Sequence, residues 1–199
     1  MTKKAIIYVP GLNDDRFLNS HLIDLLPYFW KRYGYEVFIV RPAWKKGKTF
    51  SPKLKLIIDK IDELSKSGYA ITLFGQSAGG AAVLNAFTER KSKVNHVINI
   101  CGRLKKGIEV HPSLEIAAKG NPAFADSVLL FETQNEKKLT KADRKKVLTI
   151  KPLWDGVVPS TTVALAGATN ITIPIIQHSI GGIAALTLFS KKIVSFLSL

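Results

Sequence analysis

The chain has a single cysteine, Cys101, and no long apolar run. One thiol excludes an internal disulfide and suits a reducing compartment. No stretch approaches the roughly 18 to 20 uninterrupted apolar residues of a membrane-spanning helix. In MTKKAIIYVPG the apolar run ends after five residues at Pro10 and Gly11, which is too short for a secretory signal. We therefore expect a cytoplasmic protein without a transmembrane segment.

Acidic residues are also scarce, with 15 Asp and Glu against 29 Lys and Arg, and the net charge is +14. Such a charge attracts anions, nucleic acid or an anionic membrane surface. The basic residues occur in separated clusters, and the one dense stretch, KKLTKADRKK, has no interleaved aromatics. We expect solvated helix and loop surfaces rather than a nucleic-acid partner. Peripheral contact with an anionic membrane stays open as an alternative.

The signatures of metal and cofactor sites are missing as well. The sequence has no H-E-x-x-H, no paired C-x-x-C and no G-x-G-x-x-G after a strand. Its 199 residues, 46% hydrophobic and 22% charged, are typical of one globular domain. We expect a single domain over residues 1–199 that requires neither a metal nor an organic cofactor.

Predicted strands alternate with predicted helices along the chain. Short apolar, β-branched or aromatic runs predict strands at 4–11, 35–42, 70–75, 94–102, 146–156 and 170–178. Apolar spacing predicts helices at 16–33, 53–68, 78–91, 160–167 and 180–197, the first interrupted by Pro27. This alternation predicts an α/β fold, a three-layer αβα sandwich with a mostly parallel sheet of about six strands. Residues 103–145 exceed what a crossover helix needs, so we expect a small lid there.

The stretch LFGQSAGGAAVL places Ser77 between Gly75 and Gly79, after a predicted strand and before a predicted helix. It matches G-x-S-x-G, in which the glycines let strand and helix approach closely around a turn that exposes the serine hydroxyl. The bare pattern arises by chance in roughly one chain of this size in twenty. Its position between strand and helix is what favours a nucleophile over an ordinary turn with a serine cap.

A serine hydroxyl needs a base to take its proton, and histidine is the usual one. Only His178 directly follows a predicted strand, at the edge where α/β sheets bind ligands. The remaining histidines lie in a helix pattern, at a strand start or in the 103–145 segment: His21, His96 and His111. His178 is therefore the predicted base.

The base in turn needs an acid to orient it. Asp155 follows the fifth predicted strand in LWDGVVP, whereas Asp14 and Asp15 after the first strand are the main competitors. An ordinary Asp-Gly turn is the alternative for Asp155. The chain order Ser77, Asp155, His178 is the order expected of the G-x-S-x-G class.

With these motifs the sequence resembles the α/β-hydrolase superfamily over essentially the whole chain. GQSAGG is similar to the family's nucleophile elbow, WDGVVP to its acid loop and HSIGG to its histidine loop. The resemblance implies a compact member that lacks the first two strands. It also implies a serine esterase or lipase-like enzyme with Ser77, Asp155 and His178 as its catalytic triad.

The resemblance further implies an oxyanion hole made of two backbone N–H groups. These would belong to Ala78 and to Leu12 in the turn after the first strand. The family's usual histidine in this turn is replaced by Pro10, so Asn13 is the alternative to Leu12.

The substrate is less well defined by the sequence. An uncharged ester is the leading hypothesis, with Asn13, Gln76, Leu104 and Trp154 as candidate substrate-binding residues. A phosphate-bearing thioester is a second one, because basic residues open the 103–145 segment: Arg103, Lys105 and Lys106. A catalytically silent binding protein for anionic partners is the alternative to an enzyme.

Overall fold

Six parallel strands form one sheet in the order β2-β1-β3-β4-β5-β6. The computed structural model describes residues 2–12 and 25–198. Its strands are β1 (Lys4–Val9), β2 (Tyr35–Ile39), β3 (Ala70–Gln76), β4 (Val94–Ile100), β5 (Val147–Pro152) and β6 (Thr169–Ile173). Each neighbouring pair is parallel, so all the strands end at the same edge of the sheet. The predicted fold class is confirmed.

Helices cover both faces of this sheet. They are α1 (Leu26–Lys31), α2 (Ser51–Lys66), α3 (Ala78–Glu89), α4 (Leu114–Ala117), α5 (Pro122–Leu130), α6 (Lys141–Lys145), α7 (His178–Leu186) and α8 (Ser190–Leu197). Alternate residues of β1 separate two apolar cores. Ala5 and Ile7 face the core of α2, α3 and α5, whereas Ile6 and Tyr8 face that of α1, α7 and α8.

Helix α3 packs close to the sheet because its first turn consists of small residues. A Cβ on Gly79 would overlap the carbonyl oxygen of Val9 at the end of β1. One on Gly80 would overlap the buried Oδ1 of Asn99 on β4. The glycines are therefore a steric requirement for bringing the start of α3 against the strand ends.

The segment 103–145 packs on α3 through a buried carboxamide. It contains α4, α5, a π-helical turn at Phe131–Asn135, a 3-10 turn at Glu136–Lys138 and α6. Asn85 on α3 donates to the carbonyls of Ala81 and Ser127 at 2.9 and 2.8 Å, and accepts from Asn135 at 2.8 Å. Asn85 thus ties α5 and the turn that follows it to α3. That residues 103–145 form a lid stays a prediction.

The predicted helix at 180–197 is wrong as a single helix. It is two helices, α7 and α8, with a break at residues 187–189. The Thr187 hydroxyl donates to the Ile183 carbonyl at 2.8 Å, and the Ser190 hydroxyl to that of Thr187 at 2.7 Å. Such side-chain bonds compete with the helical ladder and bend it. In the described part of the chain no single helix could cross a membrane; Ile180–Leu186 and Ser190–Leu197 qualify only as a pair bent by 52°.

The predicted helix at 160–167 is also wrong beyond its first turn, since only a 3-10 turn forms at Ser160–Thr162. The Asn170 carboxamide bonds both the N–H and the carbonyl of Leu165 at 3.0 Å, which removes them from a helical ladder. Of the helix predicted at 16–33, residues 16–24 lie outside the described residues. The last strand ends at Ile173, earlier than predicted, so His178 begins α7 instead of ending a strand.

Candidate active site

Ser77 occupies a strained turn between β3 and α3. Its backbone angles are φ 53° and ψ −118°, a region that costs a non-glycine residue about 1 to 3 kcal/mol. The Ser77 N–H donates to the Ile100 carbonyl at 2.9 Å, and the Ser77 carbonyl accepts from Gly80 at 2.9 Å. A Cβ on Gly75 would overlap the Gly79 carbonyl. The surrounding backbone therefore holds the serine in this conformation, as the G-x-S-x-G pattern predicts.

His178 lies between Ser77 and Asp155. Its Nε2 is 2.9 Å from Ser77 Oγ, and its Nδ1 is 2.7 Å from Asp155 Oδ2. An ionised carboxylate only accepts hydrogen bonds, so Nδ1 carries the proton and Nε2 is left to accept from the serine hydroxyl. The sequence predicts these three residues, and the structure brings them into one hydrogen-bonded series.

The Asp155 carboxylate is buried but well supplied with donors. Its Oδ1 accepts the N–H groups of Val157 and Val158, each at 2.9 Å, while Oδ2 faces His178. Burial acts to raise the pKa of Asp155, but the hydrogen bond and charge of His178, with these two amides, outweigh it. The net pKa lies below the ordinary value, so Asp155 is ionised at neutral pH.

The turn after β1 lies directly against the serine. A Cβ added to Gly11 would be 2.9 Å from Ser77 Cβ and 3.4 Å from Ser77 Oγ. Leu12 is the next residue of this turn, and Ala78 is the first residue of α3, where a backbone N–H has no partner within the helix. Asn13, the alternative donor and a candidate substrate-binding residue, lies outside the described residues.

The other candidate substrate-binding residues have different surroundings. Leu104 is fully buried in the apolar core. Trp154 is 62% exposed, with its ring over Gly156. Gln76 accepts a hydrogen bond from the Tyr8 hydroxyl, and its side chain lies against Gly182 in α7.

The basic residues at the start of segment 103–145 are engaged within the protein. The Arg103 guanidinium is buried and donates to the carbonyls of Lys105, Lys106 and Pro112. Lys105 Nζ is 4.0 Å from Glu136, and Lys106 Nζ is 2.9 Å from Glu115. Arg103 thus organises the loop that follows β4.

Competing residues lie away from this site or outside the described part of the chain. His96 is at the amino end of β4, where its ring lies 5.5 Å from that of Phe196. Residues 13–24, which include Asp14, Asp15 and His21, are not among the described residues.

Cys101 lies beneath the histidine loop and is fully buried. A Cβ on Gly181 would be 3.6 Å from its sulfur. Burial, with a smaller contribution from Asp155, raises the pKa of Cys101 to about 12. The thiol is therefore protonated and unsuited to nucleophilic attack.

Sequence reasoning missed two residues next to the triad, Gln177 and Tyr8, and the contact that Gln76 makes. Gln177 caps α7, because its Oε1 accepts the Ile180 N–H at 2.7 Å. The Tyr8–Gln76 contact connects β1 to β3 beside the serine. The sequence signal for Gln177 and Gln76 is a polar side chain directly before His178 and Ser77, whereas Tyr8 lies within β1.

Comparisons with known proteins show similarity in structure alone. No protein-family model matches the chain, and no curated protein matches its sequence. A structure reported with LipS and LipT, two metagenome-derived lipolytic enzymes, has a TM-score of 0.70 at 15% identity, covering 99% of this chain and 94% of that one. Est1E from Butyrivibrio proteoclasticus has a TM-score of 0.68 at 17% identity, covering 98% and 86%.

A monoacylglycerol lipase from Paleococcus ferrophilus has a TM-score of 0.63 at 17% identity, covering 98% of this chain and 94% of its own. These similarities extend over nearly the whole of each chain and include the parallel sheet and its helical layers. The chain therefore has the α/β-hydrolase fold.

Proposed function

We propose that this protein is a serine hydrolase that cleaves carboxylic esters through an acyl-enzyme on Ser77. The observation that carries the proposal is the hydrogen-bonded series from Ser77 through His178 to Asp155, at 2.9 and 2.7 Å. A protein that only binds ligands has no need of this series. The lipolytic enzymes and the monoacylglycerol lipase among the similar structures support an ester as the substrate.

In the first half of the reaction Ser77 Oγ attacks the ester carbonyl carbon while His178 Nε2 takes the hydroxyl proton. Asp155 stabilises the resulting imidazolium through its bond to Nδ1. The tetrahedral intermediate collapses when the C–O bond to the leaving group breaks and His178 returns its proton to that alkoxide. Alcohol leaves, and the acyl group stays on Ser77.

The second half uses water in place of the serine. His178 takes a proton from water, the hydroxide attacks the acyl carbon, and the proton then passes to Ser77 Oγ as the acid leaves. The N–H groups of Ala78 and Leu12 would stabilise the oxyanion in both halves, with Asn13 as the alternative to Leu12. Loss of one such donor costs about 100-fold to 1,000-fold in kcat in comparable sites.

The contacts of the basic residues favour an uncharged ester over a phosphate-bearing thioester. The Arg103 guanidinium donates hydrogen bonds to three backbone carbonyls, and Lys105 and Lys106 each lie near a glutamate. Phosphate recognition would have to displace these partners. An uncharged ester needs no such rearrangement.

A fluorophosphonate probe and short p-nitrophenyl esters test the proposal directly. We expect covalent labelling of the wild-type protein and of Ser67→Ala, whose hydroxyl lies at the exposed end of α2. Ser77→Ala should lose the label and at least about 10,000-fold of the esterase kcat. A chain-length series of the same esters then defines the acyl group that is preferred.

The alternative is a catalytically silent binding protein on the same fold. Absence of labelling, together with equal rates for the wild type and Ser77→Ala, would refute the hydrolase proposal and favour that alternative. Salt-sensitive binding of DNA under those conditions would then identify the basic surface as the functional one.

A further inference from the structure

Exposed apolar side chains lie on the acid loop, the histidine loop and the first turns of α7. We call the following six residues the apolar rim: Leu153, Trp154, Val157, Ile176, Ile180 and Ile183. They are between 39% and 68% exposed. A single exposed hydrophobic residue is ordinary, but a group of this size on neighbouring segments is typical of an interaction surface.

The two segments that carry the apolar rim lie side by side. The Leu153 N–H is 2.9 Å from the Ile173 carbonyl and 2.8 Å from the Ile175 carbonyl. The Trp154 N–H donates to the same Ile175 carbonyl at 3.4 Å. The acid loop therefore runs along the chain that enters the histidine loop.

The three isoleucines of the apolar rim lie on the histidine loop and on α7. Ile180 and Ile183 are three residues apart in α7 and lie on one side of it, whereas Ile176 precedes the N-cap residue Gln177, whose backbone is extended. His178 begins the same helix and bonds to Ser77. Whatever covers the apolar rim therefore also contacts the segment that carries His178.

The charges of this part of the chain are almost all positive. Residues 151–199 contain three lysines, Lys151, Lys191 and Lys192, and a single acidic side chain, Asp155. That carboxylate is buried against His178. Lys191 and Lys192 are exposed at the start of α8, beyond the break that follows α7. An anionic surface would therefore meet lysines and no exposed acidic side chain from these residues.

We propose that the apolar rim inserts into the surface of an anionic phospholipid layer and that the substrate is an ester held in that layer. The substrate part of this inference rests on the proposed hydrolase function, whereas the binding part does not. Exposed apolar side chains on a protein of net charge +14 are a combination that binds an anionic lipid surface. A second copy of the chain fits less well, because it carries the same charge of +14.

Tryptophan fluorescence gives a direct measure of insertion. The chain has three tryptophans, of which Trp30 and Trp44 are buried and Trp154 belongs to the apolar rim. In the Ser77→Ala variant, vesicles of phosphatidylcholine mixed with phosphatidylglycerol should shift the emission to shorter wavelength. Vesicles of phosphatidylcholine alone should give a much smaller shift, and added salt should weaken binding to the mixed vesicles.

Substitutions locate the binding surface. In the Ser77→Ala background, Leu153→Ser combined with Ile176→Ser should weaken affinity for the mixed vesicles at least about tenfold, because two exposed apolar groups are removed. Leu56→Ser is a control at an exposed apolar position outside the apolar rim. Leu56 is 50% exposed on α2, which covers the other face of the sheet, and its loss should change the affinity less than about twofold.

The inference is overturned by any of three results. The first is no emission shift with the mixed vesicles, and the second is equal affinity for neutral and mixed vesicles. The third is a blue shift that appears with protein concentration alone, which would show a second copy covering the apolar rim. Failure of Ser77 labelling with retained vesicle binding would instead refute the hydrolase proposal and leave the lipid surface in place.

Discussion

Two adjacent glycines in α7, Gly181 and Gly182, should respond very differently to alanine. A Cβ on Gly181 would be 3.4 Å from Pro152 Cβ and 3.6 Å from Cys101 Sγ, which are ordinary contacts. A Cβ on Gly182 would overlap the carboxamide of Gln76. Gly181→Ala is thus a matched control that makes the same chemical change in the same helix.

The size of the effect follows from two opposing contributions. Replacing glycine by alanine inside a helix gains up to about 1 kcal/mol. Overpacking costs about 1 to 3 kcal/mol, and the carboxamide cannot swing aside freely because the Tyr8 hydroxyl bonds it. Gly182→Ala should therefore lose up to about 2 kcal/mol, or about 4 to 8 °C in Tm, whereas Gly181→Ala should raise Tm by about 2 to 4 °C.

Gly182→Ala should also lower kcat/KM, and by more than its loss of folding stability would explain. Gly182 lies four residues after His178, so relieving the overlap moves the first turn of α7 and the imidazole with it. A displacement approaching 1 Å costs about 100-fold in rate. We expect kcat/KM of Gly182→Ala for a p-nitrophenyl ester to fall about 10-fold to 100-fold, with the Gly181→Ala value within about twofold of wild type.

A double variant tests the cause. Tyr8→Phe removes the hydroxyl that holds Gln76, so Gly182→Ala should cost less in that background than in the wild type. Wild-type kcat/KM and a raised Tm for Gly182→Ala would refute the reasoning, because they would show that the carboxamide gives way without moving His178.

Three further predictions concern individual side chains. Asp155→Asn should lower the esterase kcat about 10,000-fold, while the temperature of thermal unfolding changes little. The reason is that an amide no longer selects the tautomer of His178 that accepts a proton at Nε2. A loss of kcat under tenfold would contradict the role assigned to Asp155. Cys101 should resist alkylation at pH 8 until the protein unfolds, since its pKa is raised to about 12, and rapid labelling of the native protein would show the burial to be wrong. Arg103→Gln should lower the free energy of unfolding by about 2 kcal/mol, because it leaves backbone carbonyls without their donor. Urea unfolding measures this change, and an unchanged urea midpoint would contradict the prediction.

The positions of Ser77, Asp155 and His178 were accessible from the sequence because each rests on local information. A run of apolar residues predicts a strand, and a parallel sheet brings all strand ends to one edge. Polar residues just beyond those ends must then be near each other, even at separations of 78 and 101 residues. The six strands are recovered for the same reason, with errors confined to their ends.

Features that depend on contacts between distant residues were not accessible in this way. The KK pair after Arg103 suggests a phosphate site, but the guanidinium turns inward onto its own loop. The bend between α7 and α8 comes from hydroxyl groups that an apolar periodicity does not register. Likewise, Gln76 is read as a substrate contact from its place beside the serine, whereas its orientation toward Tyr8 requires the folded sheet.

Asn85 has a consequence for how the protein fluctuates. Its carboxamide joins α3, the helix that follows Ser77, to residues 122–135 through two buried hydrogen bonds, with Ser127 and Asn135, each worth about 1 kcal/mol. Opening those residues breaks these bonds and exposes the core beneath, so the two elements should open as one cooperative unit and exchange their amide protons at similar rates. We therefore expect motions that admit a ligand to occur in the acid and histidine loops, which carry the apolar rim, rather than in residues 122–135.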